Sequence, residues 1–76
     1  MIKLKVSQTE TVSVNPEDID YAEYRITWEC KREQYPAIKV YMKDSTQVYV
    51  VNYADEFKPL WAELKKHNLN LKDWRN

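Results

Sequence analysis

An α+β domain is the fold class this sequence predicts: an antiparallel β-meander of four or five strands, packed on one face by a single C-terminal α-helix. Two patterns carry that prediction. Apolar residues recur at every second position through much of the chain before Tyr53, the period of a half-buried strand. Phe57, Leu60, Trp61 and Leu64 then recur at i, i+3, i+4 and i+7, the period of a helix with one apolar stripe. Length adds a bound: the 76 residues suffice for one domain and not for two, so 1–76 is taken as a single unit.

The strands come first. Ile2, Leu4, Val6, Val12 and Val14 all occupy even positions, either in one long strand or in a hairpin turning at Ser7-Gln8-Thr9; both preserve the parity. Asn15-Pro16-Glu17-Asp18 has the form of a helix start, with a capping Asn, Pro at the first helical position and acids in the first turn. Strand character returns so soon that only a short helical turn fits near 16–22. Tyr24, Ile26, Trp28 and Cys30 then alternate with Arg25, Thr27, Glu29 and Lys31, a half-buried strand. A turn at 32–36 leads to a strand with Ile38, Val40 and Met42 on one side and Lys39, Tyr41 and Lys43 on the other. After Asp44-Ser45-Thr46, residues 47–53 form the last expected strand. It turns Val48 and Val50 toward the helix and Tyr49, Val51 and Tyr53 away from it. Apolar side chains on both faces suit a central strand, or one whose outer face has a partner.

The helix is expected over 55–68. Asp55 and Glu56 near its start, and Lys65, Lys66 and His67 near its end, match the macrodipole. Pro59 fits if it stays in the first turn, and Asn68 is an acceptable left-handed cap. Leu69 and Leu71 are expected to fold back beneath the helix. From Tyr35 onward, a hairpin followed by one amphipathic helix resembles the last part of pleckstrin-homology-like domains. The resemblance rests on element order and implies a sheet closed by a terminal helix; it implies no function.

Composition narrows the function classes. Glycine is absent, which removes phosphate-cradling loops and nucleophile elbows, since both need backbone with positive φ or close approach to a ligand. Twelve basic residues balance twelve acidic ones, which argues against a chain dedicated to nucleic acid as a whole while allowing a local basic face. A single cysteine, Cys30, makes neither an internal disulfide nor a cysteine-rich zinc site. No apolar run approaches the length of a membrane span, and the alternating Met1–Val6 segment lacks the apolar core of a secretory leader. A cytoplasmic location without membrane association is expected.

Candidate chemistry is sparse. His67 is the only histidine, and its spacing four residues after Glu63 suits a helix-surface pair better than a base or metal ligand. Cys30 shares the inward parity of Ile26 and Trp28, the position of a small hydrophobe and not of an activated thiolate. Glu17, Asp18 and Asp20, and again Asp55 and Glu56, are explained by helix-start electrostatics. No catalytic, cofactor-binding or metal-binding residues are assigned, and enzyme activity is not expected.

One surface invites a hypothesis. The face away from the helix is expected to collect Arg25, Thr27, Glu29, Lys31, Lys39, Tyr41, Lys43, Tyr49, Val51 and Tyr53. Within it, Tyr49, Val51, Tyr53 and Tyr41 form a candidate protein interface, because tyrosine with an apolar centre suits buried contacts. A small protein-interaction module follows, homodimeric or an inhibitor-like accessory protein. The alternative is single-stranded nucleic acid on Arg25, Lys31, Lys39, Tyr41 and Lys43, where each stacked base contributes roughly 1–3 kcal/mol.

Overall fold

The computed structural model describes residues 1–29, 33–44 and 46–73, with the side chains of 26–29 and 33–35 left aside. Cys30, Lys31 and Trp74, and the directions of the Ile26 and Trp28 side chains, therefore lie outside the described residues.

The even-parity residues at the start of the chain form a hairpin. β1 (Ile2–Lys5) pairs antiparallel with β2 (Thr11–Val14), Ile2 opposite Val14 and Leu4 opposite Val12. Its glycine-free turn is closed by polar groups. The N–H groups of Val6 and Ser7 both donate to the Glu10 carbonyl (3.1 and 3.3 Å), and Ser7 Oγ accepts from the Thr9 N–H at 3.3 Å. The Asn15 cap is formed as the sequence predicts: its side-chain oxygen accepts from the Glu17 N–H at 3.3 Å. The turn it caps is a 3-10 turn, Pro16–Asp18.

The long strands follow. β3 (Ile19–Glu29) and β4 (Glu33–Met42) pair antiparallel, with a bulge between Ile19 and Tyr21. The extra residue shifts parity, so Ile19 and the even-numbered Ala22 and Tyr24 all face inward. β5 (Val48–Val51) pairs with β4, which completes the expected meander. After helix α1 (Ala54–Lys66), the three-residue β6 (Leu71–Asp73) lies parallel to β3. The order across this sheet is β5-β4-β3-β6, and β1-β2 forms a separate two-stranded sheet.

Three expectations are corrected. The described residues hold six strands in two sheets, not four or five in one. The helix is not the last element, as the pleckstrin-homology-like order implies, because β6 returns to the sheet; three residues are too few to show a strand period in sequence. Most consequentially, β5 is turned over. Val51 is fully buried, whereas Val48 and Val50 are 37% and 40% exposed. The cause is turn length. An even number of residues (42–47) separates Tyr41 from its partner Val48, so inward positions switch from even in β4 to odd in β5: Ile38 stands opposite Val51 and Val40 opposite Tyr49. β5 is also an edge strand, not a central one.

Helix α1 covers the inward side of the sheet. Phe57, Leu60, Trp61 and Leu64 are its buried residues, the stripe expected from their spacing. They meet Ile2, Leu4 and Val14 of the hairpin and Ile19, Ala22, Tyr24, Ile38, Val40 and Val51 of the sheet in one core. Val12, Met42, Tyr49, Leu69 and Leu71 pack around it, partly buried. The helix starts at Ala54, which puts Pro59 in its second turn instead of its first. Pro59 thus lacks the N–H that would reach the Asp55 carbonyl. Asn68 ends the helical segment at φ +56°, the left-handed conformation its side chain type tolerates.

Candidate functional site

The sheet surface away from the helix is built by register. Outward positions are Lys72 on β6; Tyr21, Glu23 and Arg25 on β3; Lys39 and Tyr41 on β4; and Val48 and Val50 on β5. Tyr21, Tyr41 and Val48 are direct cross-strand neighbours, as are Glu23, Lys39 and Val50.

The first of these rows is aromatic. The Tyr21 and Tyr41 rings stack with centroids 4.3 Å apart and planes 11° from parallel. Lys72 Nζ sits 4.6 Å from the centre of the Tyr21 ring, on the β6 side, so both faces of that ring are occupied. Such a stack contributes about 0.5–1.5 kcal/mol beyond the area it buries, and an exposed cation–π contact about 0.5–1 kcal/mol. Burial raises the Tyr41 phenol pKa above the usual 10.0; the Glu23 carboxylate and the Tyr21 ring raise it further, against a lowering by Arg25. A hydrogen bond with the Tyr21 side chain adds to the rise by holding the proton on Tyr41.

The second row is electrostatic. Glu23 is buried although it points to the open side, its side chain only 10% exposed. Arg25 Nη1 donates to Glu23 Oε2 at 3.4 Å, and Lys39 and Lys72 occupy the neighbouring register positions. Arg25 is thus the ion-pair partner of Glu23, while the Lys72 ammonium lies over Tyr21.

The sequence-predicted residues separate accordingly. Arg25, Lys39 and Tyr41 do lie on the open face. Lys43 is in the turn after β4, its N–H donating to the Asp18 carbonyl at 2.8 Å. Val51 belongs to the core, and Tyr49 leans on the same core from the inward side. Tyr53 is the residue before α1, and Lys5 Nζ lies 5.1 Å from the centre of its ring. Of the expected tyrosine interface, only Tyr41 is on the open face, and Val48 and Val50 replace the others there. Tyr21 and Glu23 share the outward parity of Arg25, so extending that strand backward would have found them; Lys72 had no such signal.

Beside β5 lies a groove. Val6, Glu10 and Val12 at the hairpin tip face residues 47–50 across it. Among the described residues no strand pairs with the outer side of β5. The strand itself, Val-Tyr-Val-Val, carries no charge, no proline and no bulge, the usual means by which an edge is kept from pairing.

Elsewhere, His67 Nε2 and Glu63 Oε1 lie 3.3 Å apart, the helix-surface pair their spacing predicts. Among the described residues no three His, Cys, Asp or Glu side chains gather as a metal site would require. No described helix is long and apolar enough to cross a membrane. Comparison with protein families, with curated proteins and with solved structures finds no match.

Proposed function

We propose that this chain is a small, non-enzymatic protein-interaction module that associates by strand addition along the outer side of β5, with a second copy of itself as the partner. The observation that carries the reading is an uncharged edge strand presenting Val48 and Val50 beside an open groove. Added strands bind through main-chain hydrogen bonds, and alternate side chains supply specificity.

β5 is self-complementary. Antiparallel pairing about a two-fold axis at Tyr49 sets Val48 opposite Val50 of the second copy, a β-branched cross-strand pair on the open face. No like charges meet there. The same operation at β6 would oppose Lys72 to itself, so the neutral edge is the favoured one. Single-stranded nucleic acid has less to support it, since base stacking needs free ring faces and Tyr41 already gives one of its faces to Tyr21.

The pairing is testable by cross-linking. In a Cys30→Ser background, Tyr49→Cys places two thiols across the symmetry axis, within the Cα separation a disulfide spans. Air oxidation is expected to give a covalent dimer, while Lys3→Cys in the same background gives none. A Tyr49→Cys chain that stays monomeric under oxidation would refute the proposed register.

A further inference from the structure

On the far flank of α1, away from the hairpin, Tyr24, Phe57 and Trp61 form the floor of a second groove, with Lys58 and Lys65 on its rim. The three aromatic residues brace one another: Tyr24 lies 5.4 Å from Phe57 and 5.3 Å from Trp61, the latter edge to face. All three are core residues that keep only a small edge at the surface, and Ala62 leaves that edge uncovered where a longer side chain would lie across it. The helix sorts its charges. Glu56 and Glu63 line the groove on the hairpin flank, while the groove over Tyr24 is lined among the described residues by two cations and no acid, with Asp73 beside Tyr24 in the sheet register.

We infer that this second groove receives an acidic peptide segment of a partner protein, one apolar anchor side chain between two carboxylates. The anchor meets the edges of Tyr24, Phe57 and Trp61, and the carboxylates meet Lys58 and Lys65. Seven residues of helix separate the lysines by about 10 Å along the axis. An extended segment spans about the same distance between residues i and i+3, so two acids at that spacing flank the anchor. Charge complementarity defines the partner class, and the site is independent of β5.

The experiment selects random displayed dodecapeptides against the full chain, then titrates the most enriched peptide, fluorescently labelled, into wild type and variants. Enriched sequences are expected to carry Asp or Glu around an aromatic or branched aliphatic residue. Affinity should fall roughly tenfold in Lys58→Glu/Lys65→Glu and weaken with added salt. Both lysines are exposed, so the variant should melt like wild type, and Ala62→Glu supplies a second block at the same groove. Failure to enrich any peptide, enriched peptides without net negative charge, or undiminished binding to the folded double-lysine and Ala62→Glu variants would each overturn the inference.

Discussion

Val50 and Val51 are adjacent, identical in chemistry and opposite in fate. Val51 sits in the core between the sheet and α1; Val50 faces outward at the sheet edge. Val51→Ala should therefore destabilise the fold by about 2 kcal/mol, from lost burial and the cavity left behind. Val50→Ala should change it by less than about 0.5 kcal/mol. Urea denaturation at low protein concentration distinguishes the two, and a larger effect at Val50 than at Val51 would mean the strand is turned the other way. This inversion was not legible in the sequence, because Val48, Tyr49, Val50 and Val51 are all apolar and only the turn length decides which alternate pair faces in. Ile2, Leu4, Ile38 and Val40 were legible, since Lys3, Lys5 and Lys39 alternate with them. Tyr41 offers a second test. Its pKa is raised by burial and by its neighbours, so its contribution to stability is fully present below the usual 10.0 and lost as pH rises through the raised value. Ring-carbon NMR titration should find Tyr41 ionising above 10.0, and Tyr21→Phe should bring it down by removing the hydrogen bond. A Tyr41 that ionises at or below 10.0 would contradict its partial burial and its hydrogen bond with Tyr21.

At the scale of elements, α1 and the β3-β4-β5 meander follow from periodicity and capping chemistry, whereas parity left β1 and β2 open between one strand and a hairpin. The helix stripe, the Asn15 cap and the left-handed Asn68 are local properties that residue type reveals. What escaped is set by pairing partners distant in sequence: the parity switch across residues 42–47, the bulge after Ile19 and the parallel β6. The helix start was legible to within one residue. From Ala54 or from Asp55, Pro59 stands in the second turn and removes a hydrogen bond to the Asp55 carbonyl. Pro59→Ala should restore it and stabilise the chain by about 1 kcal/mol, less than the roughly 3 kcal/mol of a central helical proline because Pro59 stands near the start and lines the groove against β1. Thermal melting followed by circular dichroism provides the check; a lower melting temperature would show that the ring's packing outweighs the missing bond.

For the whole molecule, the decisive feature is where its unpaired backbone lies. A chain of this length has a thin core, here shared by one helix, a two-stranded hairpin and a four-stranded sheet. On its open face Glu23 pairs with Arg25 and the Tyr21 ring is enclosed in a stack. The outer side of β5 is an uncharged edge with no paired strand among the described residues. The candidate surface was legible in part: Arg25, Lys39 and Tyr41 were placed on the correct side by parity, whereas the apolar residues of that face are Val48 and Val50 and not Val51. Sedimentation equilibrium tests the central claim most directly. Wild type is predicted to sediment, as concentration rises, toward twice the chain mass of 9.2 kDa, and Val48→Lys/Val50→Lys to remain a folded monomer. A wild-type chain that stays at 9.2 kDa across the whole concentration range, or a dimer indifferent to both lysines, would contradict it.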